Sequence, residues 1–443
     1  MPEIDPHCMV HMRKENLMAL HSFVLKGDIC YSRSLNQLET VPNGYLVCLD
    51  GISQGIFQEC PAEFAQLPFF DHTGRLITPG LVDLHVHAPQ YTFRGLGMDL
   101  ELLDWLNTHT FSEEAKYRDL AYAKKAYQRF VNDVKVGPNT RACIFATMHQ
   151  EATLLLMDLL EESGLVTWTG KVNMDRNGTV ELQEASAEAS AADTRKWLET
   201  AFTRYRRTKP ILTPRFIPSC TDELMNALRE IQQTYKLPVQ SHLSENQGEV
   251  EWVKELCPNP QGYGHAYDDF GLFGGPNCPT IMAHCVLSDA DEAALMKKNG
   301  VYIAHCPASN TNLSSGVAPI RRYLREGLHV GLGSDVAGGT HTSIFRAMAD
   351  AIQVSKLRWR LVDSSLEPLT AAEAFYLGTI GGGSFFGKVG SFAPGYECDA
   401  IVIDDTRYTD PAECSLKDRL ERTIYLSEDR DVIHKFVQGA ALF

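Results

Sequence analysis

The sequence predicts an α/β fold: a (β/α)8 TIM-type barrel with a small β-sandwich domain built from both chain ends. Three observations lead there. Eight apolar runs of strand length alternate with helical stretches through the middle of the chain. Titratable residues recur at the C-terminal ends of those runs, which in a barrel converge on one mouth. Both ends of the chain carry short alternating runs punctuated by turn residues, the pattern of antiparallel strands.

The elements follow in order. Residues 1–20 form an N-terminal extension of weak order. Residues 21–76 hold the runs FVLKGDICY, GYLVCLDG, GIFQEC and GRLITPG and form the first half of the small β domain. Residues 392–443, with DAIVIDD, TIYL and VIHKFVQGAALF, form the second half. Between them, 77–391 is the catalytic barrel. Its strands are expected at 81–87, 142–148, 166–172, 211–217, 238–244, 280–286, 301–307 and 329–335. TDELMNALREIQQTY (221–235) and DADEAALMKKN (289–299) exemplify the intervening helices. A doubly wound open sheet is the structural rival; the strand count favours the barrel.

Composition narrows the class. The chain has 443 residues, 44% apolar and 22% charged, enough for a large core. A formal net charge of −15 argues against nucleic acid or an anionic membrane as partner. Twelve scattered cysteines with no Cys-x-x-Cys predict free thiols in a reducing compartment. The first residues lack a continuous apolar stretch, and no run reaches the roughly 18 apolar residues of a membrane span. A cytoplasmic enzyme is expected.

The strand ends supply the chemistry. Strand one ends in His85 and His87, and residues at i and i+2 on a strand share a face. Alone, the pair reads as two polar strand residues. With His242 on strand five and Asp335 at the end of strand eight, it becomes three imidazoles and a carboxylate. That set suits zinc first and ferrous iron second. Strand four offers Arg215 and no bridging carboxylate; Lys171, on strand three, reads as structural, so one ion is expected. A bound divalent ion lowers the pKa of water from about 15.7 to about 7, a shift on the order of 12 kcal/mol. Hydroxide then attacks an electrophilic carbon. Glu245, three residues after His242, is placed to protonate a ring nitrogen and pass a proton to the leaving group. Asp335 doubles as ligand and acceptor of the water's proton. His284, ending strand six, would orient the attacking water. His305, ending strand seven, fits a packed structural histidine as well as a site residue.

The motifs PGLVDLHVH, QSHLSEN, MAHC, AHCPASNTNLSSG and GLGSDVAGG together resemble the amidohydrolase superfamily, in the order of its mononuclear deaminases and chlorohydrolases. Finer features, HAPQYTFRG, MDLELLDWLNTHTFSEE, TGKVNMD, PRFIPSC, SHLSEN and SDVAGG, are similar to its guanine deaminase family. The resemblance covers roughly residues 20–443. It implies one zinc held by His85, His87, His242 and Asp335, a proton shuttle at Glu245, and His284 beside the attacking water. It also implies a neutral purine, guanine, bound by Gln90 and the pair Arg215-Phe216, and a homodimer. The residue types agree: an amide both gives and accepts hydrogen bonds, arginine can pair with the O6/N7 edge of guanine, and phenylalanine can stack on the ring. Without the resemblance, Gln90 reads as a loop residue bonded to backbone and Arg215 as half of a salt bridge. Pro89 departs from the family pattern, where a small hydroxyl residue is expected. Two other readings stand beside this one: a mononuclear amidohydrolase acting on another aminated heterocycle, and a non-catalytic scaffold on the same fold.

Overall fold

A computed structural model describes residues 21–258, 262–408 and 414–443. The expected extension at 1–20 lies outside the described residues. The chain begins with β1 (Phe23–Ser34), β2 (Gln37–Leu49), β3 (Ile52–Phe57) and β4 (Phe69–Pro79). β1 pairs antiparallel with β2 and parallel with β4.

The middle holds β5 (Leu81–His87), β6 (Asn139–Phe145), β7 (Val166–Gly170), β8 (Val172–Asn173), β9 (Thr208–Pro210), β10 (Thr213–Pro214), β11 (Val239–Leu243), β12 (Thr280–His284), β13 (Tyr302–His305) and β14 (His329–Leu332). β5-β6-β7-β9 and β11-β12-β13-β14 are two parallel arcs of four strands each. Nearly every residue of these strands is buried, because a sheet covered by helices on one side and by its own interior on the other has no wet face. Backbone bonds close the arcs into a ring. At one seam Leu212 N donates to Pro238 O (3.0 Å) and Gln240 N to Leu212 O (2.9 Å); at the other Asp335 N donates to His85 O (2.8 Å) and His87 N to Val336 O (3.1 Å).

The fourth barrel strand differs from expectation. Instead of one run over 211–217, two short pieces, β9 and β10, pair with different neighbours. Pro210 and Pro214 explain this, since proline cannot donate to a ladder. The second strand also starts three residues early, at Asn139 rather than 142.

β15 (Ala400–Ile403), β16 (Val432–Val437) and β17 (Ala440–Ala441) return to the first strands and complete one seven-stranded sheet, in the order β17-β16-β15-β4-β1-β2-β3. TIYL (423–426) is not β: it ends a helix, Leu416–Leu426. Ser415 caps that helix by accepting from Asp418 N, and Leu420, Thr423 and Ile424 are buried along one face at helical spacing. Arg141 of β6 ties barrel to tail. Its guanidinium donates to Asp399 (2.7 and 3.1 Å) and Glu397 (2.7 Å) and is buried. Gly80, at the junction, lies where a Cβ would come within 2.1 Å of Thr140. The described cysteines are all free. Among the described residues no helix is long and apolar enough to cross a membrane.

Candidate active site

The site stands on an apolar floor. Val82, Leu84, Cys143, Ile281, Ala283, Ala304 and Cys306 pack together inside the ring. Strict alternation would then turn His85 and His284 away from the interior. Two local departures bring them in. A register shift between Asp83 and Val86 bulges β5, so that His85 and His87 follow Leu84 onto the inner face. Both rings meet Phe145, at 4.9 and 4.6 Å between centroids. At the end of β12, His284 takes a left-handed backbone, φ +75°, and swings over Ala283. Asp335 (φ +44°) and Ser244 (φ +46°) bend the chain in the same way beyond β14 and β11. Gly333 permits the approach of β14 to β5: a Cβ there would lie 2.9 Å from His85 Cβ.

Four predicted donors meet above this floor. His87 Nε2 lies 3.2 Å from His242 Nε2 and 3.5 Å from Asp335 Oδ1, and His85 Nε2 lies 3.1 Å from Asp335 Oδ1. Bonds of about 2.0–2.1 Å to a tetrahedral ion place neighbouring donors about 3.3 Å apart, so the spacing fits one cation. His85 Nε2 is buried and makes no well-aligned hydrogen bond, although Asp335 Oδ1 lies 3.1 Å away. His242 Nδ1 donates to Arg215 O at 2.6 Å, which leaves its Nε2 lone pair free to bind. Burial, reinforced by His85, holds His87 and His242 well below the usual histidine range, in the neutral form a ligand requires. Asp335 is pushed up by burial, but His85, His284 and His87 outweigh this and hold it below the ordinary carboxylate range. Asp83 braces the cluster from behind. It accepts from His85 N (3.1 Å), Ser334 N (3.0 Å) and Ser334 Oγ (2.5 Å), joining strand one to strand eight.

A cavity lined by His87, His242, Glu245, His284 and Asp335 opens onto the cluster. His284 and Glu245 stand at its inner end. His284 Nδ1 donates to Asn310 Oδ1 (2.8 Å), while Nε2 lies 3.3 Å from Glu245 Oε2 and 3.7 Å from Asp335 Oδ2. Ser315 Oγ donates to Glu245 Oε1 at 3.3 Å. Burial first, then the charges of Asp335 and Glu249, raise the Glu245 carboxyl well above its ordinary range. Two neighbouring carboxyls are thus driven apart, one toward the acid and one toward the base, the arrangement acid–base chemistry needs.

The cavity is also lined by Gln90, Arg215 and Phe216 and by the apolar Leu102, Trp105 and Leu106. Phe216 is braced edge-on by Trp252, 6.2 Å between centroids. Arg215 is paired with Glu114, a residue the sequence reading missed. Glu114 sits in the short helix Phe111–Glu114, 101 residues from its partner and away from every strand end. Glu249 was missed too. Its carboxylate accepts from Glu245 N (2.9 Å) and Tyr263 Oη (2.6 Å), fixing the loop that carries Glu245. The Asn246-x-x-Glu249 capping pattern was the available signal. Lys171 is buried and paired with Glu184 at 2.5 Å, away from the cluster. His305 is buried next to His284, does not line the cavity, and is pushed down to about 3 by burial.

Residues 76–442 match the amidohydrolase family model. The chain is 35% identical to guanine deaminase of Dictyostelium discoideum over 94% of its own length and 97% of that protein's. It is 37% identical to guanine deaminase of Homo sapiens, over 82% of this chain and 81% of that one. Among solved structures, guanine deaminase from C. acetobutylicum with guanine bound in the active site superposes with a TM-score of 0.92 at 44% identity, covering 95% of this chain and 100% of that one. Identity at this level along nearly the whole chain, on a shared fold, places the protein in the guanine deaminase family of the amidohydrolases.

Proposed function

We propose that the protein hydrolyses guanine to xanthine and ammonia, with His85, His87, His242 and Asp335 holding one zinc ion per subunit. Ferrous iron is the runner-up metal. The observation that carries the reading is the meeting, at one cavity, of His87, His242 and Asp335, with Glu245, His284, Gln90 and Arg215 in the same lining and His85 grouped with His87 and Asp335 beneath it. The buried Nε2 of His85 beside Asp335 and the neutral state of His87 and His242 suit a borderline divalent ion.

A divalent ion bound there supplies a Lewis acid that makes water a competent nucleophile at neutral pH. Asp335, held ionised, accepts the proton that water gives up. His284 hydrogen-bonds the attacking oxygen and keeps it over the ring carbon that bears the departing amine. Glu245, held protonated by its buried setting, donates to the adjacent ring nitrogen; as the carboxylate it then takes the proton of the added hydroxyl and passes it to the departing amine, as the C–N bond breaks and the carbonyl forms. Gln90 and Arg215 bond the ring edge, Phe216 packs on its face, and Leu102, Trp105 and Leu106 limit access of bulk water.

The same reading takes 77–391 as the barrel and 21–76 with 392–443 as a small β-sandwich, supported by the sheet that joins both chain ends. It takes the enzyme as cytoplasmic and homodimeric, with the purine as its partner and neither nucleic acid nor membrane. Ammonia release from guanine, adenine, cytosine and an aminotriazine, measured beside the metal content, tests it. Turnover of another ring without guanine would assign a different amidohydrolase activity. Protein that stays inactive after zinc loading would mean a scaffold.

A further inference from the structure

Glu114 is buried against Gln90 and Arg215, which line the cavity, and takes no part in the proton transfers above. Its Oε2 accepts from Arg215 Nη1 at 2.5 Å, and its Oε1 accepts from Arg215 Nη2 at 3.1 Å and from Gln90 Nε2 at 2.8 Å. The far end of the Gln90 amide is held too: Oε1 accepts from Ala337 N at 3.1 Å. Turning that amide over would set its oxygen against a carboxylate and its NH2 against a backbone N–H. One orientation is therefore enforced. Gln90 keeps one N–H and one lone pair for a ligand, and Arg215 keeps three of its five N–H donors.

The charge matters as much as the geometry. A buried guanidinium alone would favour an anionic ring, since an unpaired buried charge is strongly disfavoured. Paired with Glu114, it presents donors without net charge. We propose that Glu114 is a positioning and specificity-determining residue, which neutralises Arg215 and locks the Gln90 amide so that the site selects a neutral purine over a purine anion. The proposal rests on the guanine reading. It carries a consequence for turnover: the dioxopurine product is a stronger acid than guanine, and its anion is the species this edge rejects.

Zinc-loaded wild type and Glu114→Gln are compared for guanine KM and kcat, and for xanthine inhibition across a pH range that brackets xanthine ionisation. Loss of a charge-assisted bond raises KM at least about ten-fold, more than it lowers kcat. In wild type, xanthine inhibition weakens as xanthine ionises; in the variant this trend flattens or reverses. An unchanged KM, or an equal fall in kcat and kcat/KM with the wild-type pH trend kept, overturns the proposal. Should the variant not fold, the wild-type profile decides alone: a xanthine anion that binds as tightly as the neutral form overturns it. Wild type that does not turn over guanine removes the functional reading and this inference together, whereas turnover with an unchanged variant KM removes the inference only.

Discussion

Replacing Asp83 by alanine is expected to loosen the metal site without touching a donor. Asp83 is 1% exposed and accepts three bonds: from His85 N, Ser334 N and Ser334 Oγ. Alanine leaves two backbone N–H groups and a hydroxyl without their partner. At about 1–3 kcal/mol for each buried group left unmade, the sum spans about 3–9 kcal/mol. Burial pushes the Asp83 carboxyl up to about 7, so near neutral pH it is only partly ionised and the loss falls in the lower half of that range, about 3–6 kcal/mol. Because those bonds set the spacing of His85 and Asp335, metal affinity should fall about 10–100-fold. Asp83→Asn is the control. Its amide oxygen keeps both backbone bonds, and Ser334 Oγ can rotate to accept from the new NH2, so the loss should stay near about 1 kcal/mol. Urea unfolding and chelator competition measure the two quantities. If Asp83→Ala keeps stability within about 1 kcal/mol and metal affinity within about two-fold, the bracing argument fails. Equal effects of Ala and Asn would also refute it, because the argument depends on the retained acceptor.

Glu245→Gln should keep its metal but lose about 10²–10⁴ of kcat, while His242→Ala should lose the metal itself; metal analysis beside an ammonia assay separates them, and near-normal turnover in the first would remove the shuttle role. Arg141→Ala leaves Asp399, which is buried, without its cation; a loss of about 3–5 kcal/mol in unfolding free energy is expected. Acid should weaken the terminal sheet through His434, which pairs with His72 at 3.1 Å and is held down to about 4, by burial first and then by His72. The unfolded chain binds that proton at about 6.5. The unfolded state therefore holds more protons between the two values, and stability present above about 6.5 is lost as pH falls toward about 4. The contribution, reduced by partial exposure, is on the order of 1–2 kcal/mol, and His434→Gln should flatten this slope in urea melts at about pH 7 and about pH 5.

The alternation of strands and helices, the β character of both chain ends and the candidate donor types could be read from the sequence alone. Periodicity and residue chemistry are local properties, so His85, His87, His242, Glu245, His284 and Asp335 were legible from strand-end positions. Gln90, Arg215 and Phe216 needed the family resemblance, because a loop amide or an arginine has no period to read. Tertiary structure decided the rest. A bulge at Asp83–Val86 and the left-handed backbone of His284 turn those imidazoles inward against strict alternation. Three prolines between 210 and 218 break the fourth strand that hydrophobicity suggested. Glu114 reaches Arg215 across 101 residues and pairs a cavity-lining arginine with a carboxylate. Such contacts arise between groups distant in the chain, where no local pattern relates one partner to the other, and only the closed ring brings them within bonding distance.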